Sequence, residues 1–161
     1  MTINNLFKTF FSNDRIDSID EASKLIQDLL ESMGTSHEES KIEMESKDML
    51  GWMVSVGNVL IYIYVFKSED SVIYLKIICP IVFLPEKNIL PFYRILLETN
   101  MYLNGYVIGV EKNMAAMMSV RRIENLKIEE SRKMIEQMAK LTLDISEKLI
   151  DEFKAVKFEL K

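Results

Sequence analysis

The chain has 161 residues, 48% of them hydrophobic and 28% charged, which predicts a single folded domain spanning residues 1–161. Acidic residues outnumber basic ones by 25 to 20, so the net charge is −5, whereas a protein dedicated to nucleic acid usually carries a basic excess. One cysteine and one histidine cannot build an internal disulfide, a cysteine-rich zinc site or a histidine-rich metal centre. We therefore expect no nucleic acid, no metal and no cofactor.

No stretch of the sequence has the pattern of a membrane span or a secretion signal. The most apolar stretch, residues 57–84, is interrupted by charged side chains, while a spanning helix needs roughly 18 apolar residues in a row. The first residues lack the charged, apolar and small-residue regions of a signal peptide. The sequence thus predicts a cytoplasmic protein without membrane contact, in which the thiol of Cys79 stays reduced.

Residues 3–11 carry apolar side chains at spacings of three and four, which predicts a short amphipathic helix. A helix this short is marginal alone, because nucleation costs more than so few hydrogen bonds return. We expect residues 1–12 to act as a docking arm, either on the sheet of the same chain or on a neighbouring subunit or client. Its contact residues would be Phe7, Phe10 and Phe11.

A longer helix is predicted over residues 18–33. Ser18 and Glu21 have the spacing of a capping box, and Gly34 stands where a left-handed cap would end the helix. Between them runs an apolar stripe at helical spacing.

Four strands follow this helix in the predicted order. They are an edge strand with charged residues at 41–45, then strands at 52–56, 59–66 and 72–79. Gly57 and Asn58 form a two-residue hairpin turn, and Pro80 and Pro85 are expected to end the run of strands.

The turns predict the register of these strands. The tight turn pairs Val54 with Ile61, and a symmetric turn at 67–71 would pair Val65 with Ile73. Alternation then puts one apolar set on a core face, composed of Trp52, Val54, Ile61, Ile63, Val65, Ile73, Leu75, Ile77 and Cys79. Burial there would make Cys79 unreactive.

The opposite face of the predicted sheet is amphipathic and aromatic. It carries Met53, Ser55, Leu60, Tyr62, Tyr64, Tyr74, Lys76 and Ile78. Such a face is too apolar for ordinary solvated surface and too polar for a closed core. We predict that Met53, Tyr62, Tyr64 and Tyr74 bind a partner.

The second half of the chain predicts a helix, a hairpin and a long helix. The helix spans 89–103, with Asn88 as its cap and Leu97 on its apolar stripe. Asn100 lies on the same stripe, so its amide should bond the backbone of the adjacent turn and lock the end of the helix to the hairpin, and Gly105 should stop the helix. The strands are 106–111 and 114–120, the last helix is 129–153, and residues 154–161 form a tail.

Catalytic groups do not converge anywhere in the sequence. There is no glycine-rich phosphate loop and no nucleophile elbow. Cys79 belongs to the predicted core face and His37 to a polar loop, so the two do not form a catalytic dyad, and His37-Glu38-Glu39 is predicted to be a solvated loop. Arg121 and Arg122 could meet a phosphate or a partner carboxylate, although a solvated pair at a strand end is the simpler interpretation. The sequence predicts no enzyme.

The predicted order is α-β-β-β-β-α-β-β-α. Hairpins rather than crossover helices separate the strands, so the sheet should be mainly antiparallel and flanked by helices, in the α+β class.

This order and the segment Phe92–Asn100, followed by Gly105, a hairpin through Val110 to Met118 and a long closing helix, resemble the type III secretion chaperone-like superfamily, including its Tir-chaperone and YbjN-type members. The resemblance implies a non-enzymatic protein that forms a homodimer and holds a polypeptide client or a regulatory partner protein on apolar surfaces of sheet and helix. A YbjN-type regulatory domain or a small-molecule sensor is the alternative, and a deep pocket between the sheet and the long helix would favour it.

Overall fold

A computed structural model describes residues 18–124 and 126–158, which form an α+β structure with one seven-stranded antiparallel sheet. The helices are α1 (Ile19–Ser32), α2 (His37–Ser40), α3 (Ile89–Asn100) and α4 (Ile128–Phe153). The strands are β1 (Lys41–Ile42), β2 (Met49–Val56), β3 (Val59–Lys67), β4 (Ile73–Phe83), β5 (Val107–Glu111), β6 (Met114–Arg122) and β7 (Val156–Lys157). The predicted order is confirmed, and the structure adds α2 and β7 to it. The predicted arm at residues 1–12, with Phe7, Phe10 and Phe11, lies outside the described residues.

Four pairs of consecutive strands are antiparallel neighbours in the sheet: β1–β2, β2–β3, β3–β4 and β5–β6. The strand order of the sheet is β1-β2-β3-β4-β6-β5, and β7 pairs with the far end of β4. The register of the first hairpin is confirmed, with Val54 opposite Ile61, because Gly57 adopts the positive φ of +58° that a two-residue turn needs.

The predicted register of the second hairpin is wrong by two residues. Val65 pairs with Leu75 rather than with Ile73, and Ile73 pairs with Lys67. The turn is centred one residue later than predicted, because both the main-chain N–H and the hydroxyl of Ser68 donate hydrogen bonds to the Val72 carbonyl. A shift of two residues keeps every side chain on its predicted face.

Helices α1 and α4 pack side by side over one face of the sheet, and the predicted core face is confirmed there. All nine of its side chains are buried, Cys79 among them. The space between the sheet and α4 is filled by buried side chains of both, including Met117, Ile135, Met138 and Leu149.

Helix α1 begins and ends as its sequence predicts. The Ser18 hydroxyl accepts a hydrogen bond from the Glu21 N–H at 3.1 Å, and Gly34 has a φ of +72° just past the helix. Helix α3 begins differently, because Asn88 is left-handed with a φ of +59° and its side chain makes no capping bond. Asn88 is thus the N-cap residue, as predicted, but without a side-chain capping bond, and α3 ends at Asn100 rather than at residue 103.

Strand β4 continues through Pro80, where the prediction ended it. Strand β3 has no residue opposite Pro80, and the register slips between Pro80 and Val82 on the β6 side. Proline is tolerated at such a position because no ladder hydrogen bond is lost. The extra residues let Val82 and Phe83 pair with β7, so the predicted tail contributes a short strand.

The region before β2 differs most from the prediction. The edge strand is only two residues long rather than 41–45, and the polar loop before it forms the short helix α2, capped by the Ser36 hydroxyl. The His37 side chain is only 10% exposed, with its ring 5.3 Å from the ring of Trp52. The prediction of a solvated loop at His37 is wrong, because packing on Trp52 buries the ring.

Candidate polypeptide-binding surface

The face of the sheet opposite α1 and α4, called the outer face here, brings together the residues predicted to bind a partner. Its principal side chains are Met53, Leu60, Tyr62, Tyr64, Phe66, Tyr74, Lys76, Ile78, Met118, Val120 and Arg122. Those on β2, β3 and β4 remain half-buried. A packed helix would bury them fully, so none of the described helices covers this face.

Register fixes which of these side chains are neighbours. Met53 pairs with Tyr62 across β2 and β3, and Tyr62 pairs with Ile78 across β3 and β4. Tyr64 pairs with Lys76 in the next row of the sheet. Directly paired side chains on one face stand roughly 4.5–5.5 Å apart at Cβ, so these rows form a continuous surface.

The aromatic rings on the outer face are stacked. The rings of Tyr62 and Tyr64 lie 6.3 Å apart with 6° between their planes, and those of Phe66 and Tyr74 lie 5.5 Å apart with 19° between them. Packed rings lose little conformational entropy when a partner binds, which suits them to recognition.

Burial raises the pKa of the Tyr64 phenol above its usual value, and the neighbouring Tyr62 and Glu111 raise it further. The hydroxyl of Tyr64 therefore stays neutral at physiological pH, where it can both donate and accept a hydrogen bond.

Sequence reasoning missed four members of the outer face: Phe66, Met118, Val120 and Arg122. Phe66 continues the alternation of Tyr62 and Tyr64 and could have been found by that signal. The other three lie on β6, which reaches its place beside β4 through α3 and β5. No local pattern indicates that pairing.

Two cations belong to this surface, Lys76 within β4 and Arg122 at the end of β6. Lys76 pairs with Val120, and Tyr74 pairs with Arg122, so the two cations are diagonal neighbours on adjacent strands. Within residues 18–124 and 126–158, neither of them forms an ion pair. The pKa of the Asp70 carboxyl is lowered, mainly by a hydrogen bond from Ser68. The charge of Arg122 also lowers this pKa, but its effect is the smallest of those that act on it.

A second apolar surface, called the α3 patch here, lies on helix α3 and the turn after it. It consists of Leu90, Leu97, Met101 and Tyr102, which are 76%, 68%, 83% and 83% exposed. The prediction that Leu97 joins the inward stripe is wrong, because α3 buries only Phe92 and Leu96 fully and turns its other side to solvent.

Asn100 joins the end of α3 to the edge strand β5. Its amide nitrogen donates to the Ile108 carbonyl at 3.0 Å, and its amide oxygen accepts from the Ile108 N–H at 2.6 Å. Asn100 thus links the helix end to the hairpin as predicted, although through a strand residue rather than the adjacent turn. Gly105 has a φ of +79° in the turn between them, and its carbonyl accepts from the Ser119 hydroxyl at 2.9 Å.

The groups that could support catalysis stand apart. Burial raises the pKa of the Cys79 thiol to about 12, partly offset by the Thr142 hydroxyl beside it. The ring of His37 contacts Trp52, Glu38 and the Ser23 hydroxyl instead. No group of three or more metal-ligating side chains occurs in the part of the chain that the structure describes.

One cavity, of about 330 Å³, reaches the outer face at Ser55 and Leu60 beside the Gly57 turn, and two others are lined by other residues. A cavity of about 490 Å³ is lined by residues of 41–50 beside β1, and one of about 440 Å³ lies where the loop after β4 meets the end of α4. Among the described helices, none is long and apolar enough to cross a membrane.

This arrangement, an antiparallel sheet with two helices on one face and a third at its edge, is the type III secretion chaperone-like fold. Three solved structures share it. A chain of the ExsC–ExsE complex matches with a TM-score of 0.53 and 10% identity, covering 86% of this chain and 97% of that one. A chain of the HopA1–SchA chaperone–effector complex matches with a TM-score of 0.52 and 11% identity, covering 91% and 98%.

The third structure is YbjN, a candidate transcription regulator from E. coli, with a TM-score of 0.50 and 10% identity over 83% of this chain and 93% of that one. No family model and no curated protein matches the sequence. The predicted resemblance is therefore confirmed at the level of the fold.

Proposed function

We propose that the chain is a non-enzymatic, chaperone-like binding module that acts in the cytoplasm and holds a partner polypeptide on its outer face. The observation that carries the proposal is a sheet face with stacked aromatic rings that the described helices leave uncovered. Monomeric proteins seldom expose a large apolar surface of this kind without a partner. The fold shared with a chaperone–effector complex supports the same function.

The α3 patch supports a homodimer. Four large apolar side chains on and after α3 are more than two-thirds exposed, and the Arg94–Glu98 ion pair lies beside them on the same side of the helix. A stable interface buries roughly 800 Å² per partner, and a second copy of the same helix could cover this patch symmetrically. Residues 1–161 would then form one domain per subunit, with the outer face free for the polypeptide.

A YbjN-type regulatory function remains the second candidate, supported by the structural similarity to YbjN. The small-molecule form of this alternative has weaker support. The deep pocket that would favour it, between the sheet and α4, is occupied by buried side chains such as Met138 and Leu149.

The proposed function is tested by binding to a permanently unfolded polypeptide, for which reduced and carboxymethylated α-lactalbumin is a suitable probe. We expect the wild-type chain to bind it, and the double variant Tyr62→Ala/Tyr64→Ala to bind at least about tenfold more weakly, since each aromatic contact contributes roughly 1.5–3 kcal/mol before entropy is counted. Tyr102→Ala is the matched control, because it removes a tyrosine from the α3 patch.

Thermal unfolding should show that all variants remain folded. Equal binding by the wild type and the double variant would remove the outer face as the binding surface. Light scattering behind size exclusion tests the dimer, which Leu97→Glu should dissociate without weakening binding of the probe by each subunit.

A further inference from the structure

The geometry points to an acidic, extended polypeptide segment as the ligand of the outer face, with two acidic residues at alternate positions followed by an apolar residue. This inference deepens the proposed function and depends on it. It names the chemistry of the client from the placement of three side chains: Arg122, Lys76 and Tyr62.

The first argument is the position of the two cations. Arg122 lies on β6 opposite Tyr74, and Lys76 lies on β4 opposite Val120, so they occupy diagonal positions two residues apart in register. Diagonal neighbours on one sheet face are separated by roughly 7–8 Å. Like charges at this distance repel each other. Among the described residues no carboxylate forms an ion pair with either of them, and Asp70 is near enough to Arg122 for only a minor effect on its pKa. A bound anion would relieve that repulsion.

The second argument is that the same diagonal continues onto an aromatic ring. Tyr62 lies on β3 opposite Ile78, which is two residues from Lys76 along β4. Arg122, Lys76 and Tyr62 therefore follow one another across three adjacent strands. Met53 and Ile78 flank Tyr62 on either side and make this end of the diagonal apolar.

The third argument is a match of spacing. An extended chain advances about 3.2–3.4 Å per residue and points alternate side chains to the same side, so its residues i, i+2 and i+4 are about 6.4–6.8 Å apart. This spacing is close to that of the diagonal. A segment reading acid–x–acid–x–apolar can thus place one carboxylate on Arg122, one on Lys76 and its apolar side chain on Tyr62.

A single-stranded nucleic acid is the competing ligand, because aromatic rings with nearby cations also suit bases and phosphates. The observations favour a peptide. The described part of the outer face carries two cations, Lys76 and Arg122, which suffice for two carboxylates but not for a run of phosphates. The diagonal ends among apolar rather than basic side chains, which suits the apolar residue of a peptide.

Three blocked peptides of equal length test the inference by fluorescence anisotropy. The first reads Glu, Glu and Leu at alternate positions with serine between them. The second has the same composition with the two glutamates adjacent, which puts them on opposite sides of an extended chain. The third has lysine in place of both glutamates. We expect the first peptide to bind about tenfold more tightly than the second and to lose affinity as salt is added.

Protein variants with reversed charges complete the experiment. The double variant Lys76→Glu/Arg122→Glu should lose the acidic peptide and gain the lysine peptide, whereas Lys24→Glu/Lys140→Glu, which changes two exposed lysines on helices α1 and α4, should leave the preference unchanged. A swap of preference requires a folded protein, so it cannot arise from misfolding.

The outcomes separate this inference from the proposed function. Equal binding of all three peptides would overturn the acidic preference while leaving a polypeptide-binding outer face. Failure of the peptides and of the unfolded probe would overturn both. Tighter binding of a deoxythymidine 12-mer than of the acidic peptide, lost in the double variant, would overturn the inference in favour of nucleic acid.

Discussion

Asn100→Ala tests how the edge of the sheet is held by helix α3. In the native chain the amide of Asn100 makes two hydrogen bonds to the main chain of Ile108, at 3.0 and 2.6 Å. Alanine would leave the N–H and the carbonyl of Ile108 without these partners. Since Ile108 is buried, an unpaired group there costs about 1–3 kcal/mol. For a chain of this length, a loss of about 2 kcal/mol lowers the melting temperature by roughly 4–8 °C.

Two measurements check this expectation. Thermal unfolding followed by circular dichroism should show the shift for Asn100→Ala, and no shift beyond about 1–2 °C for Asn104→Ala, which changes an exposed asparagine in the same connection. Hydrogen exchange of the Ile108 amide should accelerate in Asn100→Ala, because that N–H loses its acceptor. Equal melting temperatures for the two variants, with unchanged protection of Ile108, would show that the two bonds contribute nothing to the edge.

Two further predictions concern Cys79 and the N-terminal arm. A thiol reagent at neutral pH should label native Cys79 at least about tenfold more slowly than a peptide thiol, because the buried thiol has a pKa of about 12. Stability should also fall as the pH rises above 9.0, since the unfolded chain loses the thiol proton there and the folded chain keeps it; stability that is flat up to pH 11 would contradict the raised pKa. Deleting residues 1–12 should lower the melting temperature if the arm packs on its own sheet, or weaken dimerisation or client binding if it docks elsewhere. An unchanged melting temperature, dimer and client affinity would show that the apolar stripe at 3–11 has no such role.

The sequence correctly predicted the features that depend on neighbouring residues, namely the ends of helix α1, the tight turn and the alternation of the strands. The capping bond of Ser18 and the left-handed Gly34 follow from side chains within one turn of each helix end. The two-residue turn at Gly57 admits only one register for its hairpin, so every pair in that hairpin could be deduced. Strict alternation then assigned the core face correctly even where the next register was wrong.

The wrong predictions concern features that depend on contacts beyond the local sequence pattern. The loop 68–72 closes through hydrogen bonds of Ser68 that its composition does not reveal, which moved the second register by two residues. The His37 side chain is mostly shielded from solvent because its ring packs on Trp52, fifteen positions further along the chain. The periodicity of the helix places Leu97 on an inward stripe. However, α3 lies at the edge of the sheet and fully buries only Phe92 and Leu96.

The candidate surface shows the same division. Met53, Tyr62, Tyr64 and Tyr74 could be placed on one face because hairpins connect their strands in sequence. Arg122 could not, since its position beside Tyr74 depends on the crossover that brings β6 next to β4. The sequence showed two adjacent arginines, Arg121 and Arg122, at the end of a strand. Only the topology of the sheet places Arg122 diagonally next to Lys76.

The two apolar surfaces differ in composition in a way that bears on how long their partners stay. The α3 patch carries exposed apolar side chains such as Leu90 and Leu97, and the charges beside it, on Arg94 and Glu98, neutralise each other in an ion pair. The outer face carries tyrosine hydroxyls and two cations among its apolar groups. These polar groups remain hydrated when the face is empty, which lowers the cost of leaving it unoccupied. Under the proposed function, this difference predicts that a polypeptide leaves the outer face more readily than two subunits separate at the α3 patch.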